Sequence, residues 1–284
     1  MRSALRLFAP RRTPRHGGRP NPEPKGNASV NSPLTEANGL WIRRFHPRPD
    51  ARVRLVCLPH AGGSASFFLP VSRSLPEDVD VLCVQYPGRQ DRRGEPLVDS
   101  VPALANQVHE ALLPWTDRPL ALFGHSMGAS LAYEVARRLE RDQDLAPTAL
   151  IASGRRAPRA HRAETVHLRD DDGLVAEMRA LSGTNPQLLG DEEILRMILP
   201  AIRADYRAAE TYTWEPGPPL RCPVTCLVGD DDPKVTVEEA AAWSEHTEGP
   251  FTLKVFPGGH FFLAEHQPEI IRLITSRLES PVRP

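Results

Sequence analysis

The fold is decided by one stretch of the chain, PLALFGHSMGASLAYEVARRL at residues 119–139. Its apolar first part is typical of a buried strand. Leu131, Val135 and Leu139 then follow at four-residue steps, as on one face of a helix. Between the two parts stands the Gly-x-Ser-x-Gly motif GHSMG, whose glycines allow a tight turn with Ser126 at its tip. The stretch therefore predicts a strand, a sharp turn that exposes a serine, and a helix.

Apolar runs of this kind recur through the chain, separated by helical patterns. They are RVRLVCL (52–58), VDVLCVQY (79–86), PLALFG (119–124), TALIAS (148–153), PVTCLVG (223–229) and FTLKVF (251–256). Continuous apolar strands that alternate with helices indicate an α/β fold, in which a mainly parallel sheet carries helices on both faces. The alternation is interrupted at about residues 155–221, where two helical patterns predict an insertion that acts as a lid.

A serine nucleophile needs a histidine to take its proton and a carboxylate to orient that histidine. VGDDDP (228–233) and PGGH (257–260) follow the last two apolar runs, which gives the chain order Ser, Asp, His. We predict His260 as the base. Among the three consecutive aspartates we predict Asp232 as its partner, because it lies beyond the strand end. Asp230 and Asp231 are the alternatives, with turn or cap roles as the other explanation for them.

The loop LPHAGGSASFF (58–68) follows the first apolar run and supplies an oxyanion hole, which needs two backbone N–H groups. We predict the N–H groups of Ala61 and Met127. His60 and His125 are expected to shape the loop and the turn, and a second catalytic histidine is the alternative.

Composition excludes several other classes of protein. The 284 residues include 35 basic and 36 acidic side chains, so the chain as a whole lacks the charge of a nucleic-acid binder. All four cysteines lie in apolar runs, which predicts buried thiols and fits a reducing cytoplasm. Residues 1–38 are rich in Arg, Pro, Gly and Asn, which predicts a disordered N-terminal arm before a catalytic domain at residues 39–284.

With these motifs the sequence resembles the type II (editing) thioesterases of polyketide and nonribosomal-peptide synthases, which belong to the α/β-hydrolase superfamily. The matching features are LPHAGGSASFF, VQYPGRQDR (84–92), GHSMG, LPAIRADYRAAETY (199–212), GDDDPKV and GGHFFL, and they span about residues 41–280. PHAGGS and YPGR are the specific ones, since many serine hydrolases share the Gly-x-Ser-x-Gly pattern of GHSMG.

The resemblance implies an α/β-hydrolase fold and an enzyme that hydrolyses acyl groups from the phosphopantetheine arm of carrier proteins. Such an enzyme removes aberrant or stalled chains through an acyl-enzyme on Ser126, with Asp232 and His260 completing the triad. It implies no metal and no bound cofactor, since phosphopantetheine arrives on the carrier. We expect acyl and peptidyl carrier domains as partners, no nucleic acid or membrane, and a cytoplasmic monomer.

Other readings stay open at this point. A medium-chain acyl-releasing thioesterase or a general esterase would use the same machinery. A non-catalytic carrier-binding protein would not need an intact Ser, Asp and His. Arginines of the lid, together with Arg89, Arg92 and Arg93, are expected to meet an acidic carrier domain. A solvated surface is the alternative for them.

Overall fold

The structure is a computed structural model that describes residues 39–181 and 191–279. The predicted arm at residues 1–38 lies outside the described residues. Seven strands form one sheet in the order β1-β3-β2-β4-β5-β6-β7. They are β1 (Ile42–Arg43), β2 (Val53–Leu58), β3 (Val79–Val84), β4 (Leu120–His125), β5 (Ala149–Ser153), β6 (Val224–Gly229) and β7 (Phe251–Phe256).

All neighbouring strands run parallel except β1, which pairs antiparallel with β3. The six predicted runs are the six longer strands, so the mainly parallel α/β sheet is confirmed. The edge strand β1 was not predicted, because two residues are too few to show a pattern.

The α-helices of the described residues are α1 (Leu69–Ser74), α2 (Val101–Leu112), α3 (Met127–Gln143), α4 (Asp171–Leu181), α5 (Glu192–Thr211), α6 (Val237–Ala241), α7 (Phe262–Glu265) and α8 (Gln267–Glu279). None of these helices is long and apolar enough to cross a bilayer.

Strand β2 shows why the predicted strands are mainly apolar. Successive side chains of a strand point to opposite faces of the sheet. Leu55 and Cys57 belong to a core shared with α1 and α8. Val56 and Leu58 belong to the core shared with α2 and α3. Both faces are covered by helices, so the strand is apolar apart from Arg54 near its start, which donates to the Trp115 carbonyl and to Asp117.

The insertion between β5 and β6 contains α4 and α5. Asp191 caps α5 at its first turn, where its side chain accepts the N–H groups of Glu193 and Ile194. The two helices form a small core of their own, in which Leu174 and Met178 of α4 meet Leu199 and Ile202 of α5. The insertion is therefore a packed helical unit.

Parallel strands place the loops that follow them at one edge of the sheet, where α/β proteins form their binding sites. The loops after β2, β4, β6 and β7 carry Ala61, Ser126, Asp232 and His260 in that order. Four segments far apart in the sequence thus meet at this edge.

Candidate active site

Ser126 lies at the sharp turn between β4 and α3. Its φ of 55° and ψ of −120° are rarely adopted by a residue with a side chain, and such strain is typical of a serine held at a nucleophile elbow. Its N–H donates to the carbonyl of Ser153 on β5 at 2.8 Å. The turn leaves the hydroxyl at the open edge of the sheet.

Two glycines let the elbow pack this closely. A Cβ on Gly124 would lie 2.0 Å from the Gly128 carbonyl oxygen, and a Cβ on Gly128 would lie 2.1 Å from the Leu58 carbonyl oxygen. Both neighbours are backbone, so no side chain can move aside. This is the close packing that the Gly-x-Ser-x-Gly motif predicts.

The structure brings the three predicted residues Ser126, His260 and Asp232 together. His260 Nε2 lies 3.0 Å from Ser126 Oγ. His260 Nδ1 lies 2.9 Å and 3.0 Å from the two carboxylate oxygens of Asp232. The imidazole and the carboxylate are almost fully shielded from solvent. The arrangement allows His260 to take a proton from Ser126 while Asp232 fixes the ring.

The two alternative aspartates lie elsewhere. Asp230 accepts the Gly258 N–H at 2.9 Å and so tightens the loop before His260. Asp231 is exposed, and its backbone N–H donates to the Gly258 carbonyl. Both act as turn residues in this fold.

His60 and His125 pack beside His260 without joining the triad. Burial lowers the pKa of His60 to about 3, helped by the nearby charges of His260 and Arg89. Burial also lowers the pKa of His125 well below its usual range. Phe261 lies 4.9 Å and 5.2 Å from the two rings, centroid to centroid. Both histidines are neutral at physiological pH and shape an aromatic wall behind the triad.

Of the two predicted oxyanion donors, Ala61 lines the same cavity as Ser126, and Met127 follows Ser126 in the chain. The Gly63 N–H donates to the His60 carbonyl at 2.9 Å, which fixes the plane of the peptide that joins His60 to Ala61. In a trans peptide the N–H and the carbonyl point in opposite directions, so the Ala61 N–H points away from the Gly63 N–H that binds the His60 carbonyl. Within the described residues, neither it nor the Met127 N–H donates to another protein group.

A cavity of about 530 Å³ opens at the triad. Ser126 and His260 lie on its wall together with Met178, Ile198 and Ile202 of the insertion. The insertion therefore covers the serine and gives the cavity an apolar side, as expected of a lid.

The arginines predicted to meet a carrier domain fall into two groups. Arg89 pairs with Asp205 of α5 at 2.6 Å. Arg92 pairs with Glu95 at 2.6 Å and its guanidinium lies over Trp41. The prediction is wrong for these two, because the folded chain supplies their partners. Arg93 is exposed on the cavity wall, and no carboxylate of the described residues pairs with it.

Two polar residues of the site were not singled out from the sequence. Arg155 lines the cavity, and it donates to Ser130 Oγ and to the Ala209 carbonyl, each at 2.9 Å. Burial lowers its pKa to about 10. Asp205 interrupts the apolar face of α5, three residues after Ile202. A charge on such a face signals a buried partner.

The chain is similar to known thioesterases in sequence and in structure. A family model described as the thioesterase domain matches residues 53–278. The chain is 55% identical over 261 residues to a probable cadicidin biosynthesis thioesterase of Streptomyces griseus, covering 89% of this chain and 72% of that protein. It is 53% identical to the thioesterase PikA5 of Streptomyces venezuelae, covering 87% of this chain and 88% of that one.

Among solved structures, the chain is similar to the type II thioesterase BorB from the borrelidin biosynthetic cluster. The TM-score is 0.80 at 55% sequence identity, and the match covers 84% of this chain and 98% of BorB.

Proposed function

This chain belongs to the thioesterase family and hydrolyses acyl thioesters, and from this premise we propose that its substrates are acyl groups on the phosphopantetheine arm of carrier proteins. By removing aberrant or stalled groups, it would keep a polyketide or nonribosomal-peptide synthase running. Two of the similar proteins named above are a probable thioesterase of cadicidin biosynthesis and a type II thioesterase from the borrelidin biosynthetic cluster. Because they share half of their residues with this chain, they support the same substrate class here.

The observation that carries the proposal is the connected line from Ser126 Oγ through His260 to Asp232 at the wall of a covered cavity. Ser126 Oγ attacks the thioester carbonyl while its proton passes to His260 Nε2. The N–H groups of Ala61 and Met127 hold the negative oxygen that forms. The helix dipole of α3, whose positive end lies at its N-terminus beside Ser126, further stabilises this negative oxygen.

Collapse of the tetrahedral intermediate breaks the carbon–sulfur bond, and the thiol of phosphopantetheine leaves with the proton from His260. The acyl group then remains as an ester on Ser126. A water molecule gives a proton to His260 Nε2 and attacks this ester, which forms a second tetrahedral intermediate. Its collapse breaks the bond between the acyl carbon and Ser126 Oγ, which takes the proton back from His260, and the free acid is released. Asp232 stabilises the imidazolium in both half-reactions. Each step uses the chain's own residues, and phosphopantetheine enters with the substrate.

The residues of the lid that line the cavity favour an acyl chain of limited size as substrate. Met178, Ile198 and Ile202 offer apolar contact, while Arg155 and Tyr206 are polar groups in the same cavity. An apolar wall favours chains that fit it and limits the access of bulk water to the ester on Ser126. We propose that the lid sets acyl preference in a cytoplasmic enzyme that meets its carriers as separate proteins.

Release of free acid from an acyl-loaded carrier protein tests the proposal. Acetyl, propionyl, hexanoyl and decanoyl groups are compared on the carrier and on N-acetylcysteamine, with Ser126→Ala as the matched control. We expect hydrolysis that favours short acyl groups on the carrier and is lost in the control. A preference for medium chains would indicate an acyl-releasing thioesterase, and activity confined to oxygen esters would indicate a general esterase.

A further inference from the structure

An ion pair lies against the loop that carries Ala61. Arg89 Nη1 and Nη2 donate to the two carboxylate oxygens of Asp205 at 2.6 Å and 2.8 Å. Asp205 Oδ2 also accepts the Gly62 N–H at 2.7 Å, and Arg89 Nη1 donates to the Gly63 carbonyl at 3.1 Å. The pair therefore holds both residues that follow Ala61.

The contact is shielded and well formed. The Asp205 side chain is 1% exposed and that of Arg89 is 11% exposed. A two-pronged pairing of guanidinium and carboxylate is directional as well as strong. Because removing one member leaves a buried charge without a partner, the geometry is costly to abandon.

The loop needs such a restraint. Gly62 and Gly63 let the backbone approach the site closely, and Gly62 has a φ of +75°. Glycines also give the chain many alternative conformations. A loop rich in them does not by itself aim the Ala61 N–H in one direction.

We infer that Arg89 and Asp205 are positioning residues of the oxyanion hole. They hold Gly62 and Gly63 so that the preceding Ala61 N–H points at the substrate carbonyl oxygen. Because Asp205 belongs to α5, the oxyanion hole is complete only when this helix of the lid is seated. The inference rests on the oxyanion role proposed above for Ala61.

Arg89 and Asp205 should therefore contribute to binding of the transition state. Hydrogen bonds weaken steeply as they lose alignment. Removal of one oxyanion donor costs about 10²–10³-fold in kcat, so a donor that is only misaligned should cost about 10–100-fold. KM of Asp205 variants should change little, since Asp205 does not line the cavity.

Asp205→Ala is the decisive variant, because alanine has no oxygen to accept the Gly62 N–H, and the chain offers a matched control. Asp80 is likewise buried, accepts Arg44 Nε at 3.2 Å, and accepts the Arg48 N–H at 3.2 Å. It lies at the amino end of β3, at the end of the strands opposite the site. Asp80→Ala therefore removes the same kind of contact without touching the loop.

The readouts are kcat and KM on a small thioester, and the rate at which a fluorophosphonate labels Ser126. In Asp205→Ala we expect kcat and the labelling rate to fall together, with an unchanged pH profile because His260 is untouched. Arg89→Met combined with Asp205→Ala should cost no more than either change alone. Asp80→Ala should keep the wild-type kcat.

Wild-type kcat and labelling in folded Asp205→Ala would overturn the inference, as would an equal loss in Asp80→Ala. Arg89→Lys keeps the charge but loses the paired geometry, and it gives the same readouts where Asp205→Ala fails to fold. Labelling does not depend on the acyl substrate. A wild-type enzyme that ignores carrier-bound thioesters would overturn the proposed function, while the labelling rates would still decide the role of Asp205.

Discussion

Replacement of Asp232 by asparagine tests whether this aspartate, and not Asp230 or Asp231, orients His260. Asp232 Oδ1 accepts the Lys234 N–H at 2.8 Å, which an amide oxygen can still do. The amide NH₂ then takes the place of Oδ2, which lies 2.9 Å from His260 Nδ1. Facing a donor, Nδ1 becomes the acceptor and the proton moves to Nε2. His260 then cannot take the proton of Ser126.

We expect kcat of Asp232→Asn to fall about 10³–10⁴-fold, the range for a triad whose histidine is held in the wrong tautomer. Asp230→Asn is the control. Its side-chain oxygen can still accept the Gly258 N–H, so activity should stay near wild type. Steady-state release of thiol from a small thioester measures both variants, and thermal unfolding checks that each is folded. A large loss in Asp230→Asn with an active Asp232→Asn would refute the reasoning.

Three further outcomes are expected. Gly128→Ala should lower the free energy of unfolding by about 1–3 kcal/mol, because its Cβ would clash with backbone atoms. Gly94→Ala is the control, since no atom lies within 4 Å of its new Cβ, and its stability should not change. Equal urea midpoints for the two variants would contradict this prediction. The folded-state pKa of His60 is about 3, below its unfolded value, so the free energy of unfolding falls as the pH drops below about 6.5. In urea titrations from pH 7 to 5 the wild type should lose ~2 kcal/mol more than His60→Gln. Parallel losses in the two proteins would argue against a neutral, buried His60. Arg93→Glu should slow hydrolysis of carrier-bound thioesters about 5-fold, equivalent to ~1 kcal/mol, and spare small thioesters at equal salt; an equal effect on both would reject docking at Arg93.

Much of this protein was accessible from local patterns. The apolar runs gave six strands, because a strand buried on both faces has few polar positions. The motif around Ser126 identified the turn, because a serine between two glycines after such a strand fits few other structures. Chain order and strand ends were enough to predict His260, and the position of Asp232 beyond β6 favoured it over Asp230.

The charges of the site could not be assigned in the same way. Arg89, Arg92 and Arg93 look alike in YPGRQDRR, yet Arg89 pairs with Asp205, Arg92 pairs with Glu95, and Arg93 stays exposed. Arg89 and Asp205 are 116 positions apart. Nothing local to either residue states that the other is its partner.

The sequence by itself determined the strands, the elbow and the chemical type of each triad member, because periodicity, glycine placement and side-chain chemistry are local properties. Only the tertiary structure decided which charges are internal, which aspartate faces His260, and how the lid contacts the loop of Ala61. Those outcomes depend on distances between segments that the sheet edge brings together, and such distances are set by packing of the whole domain.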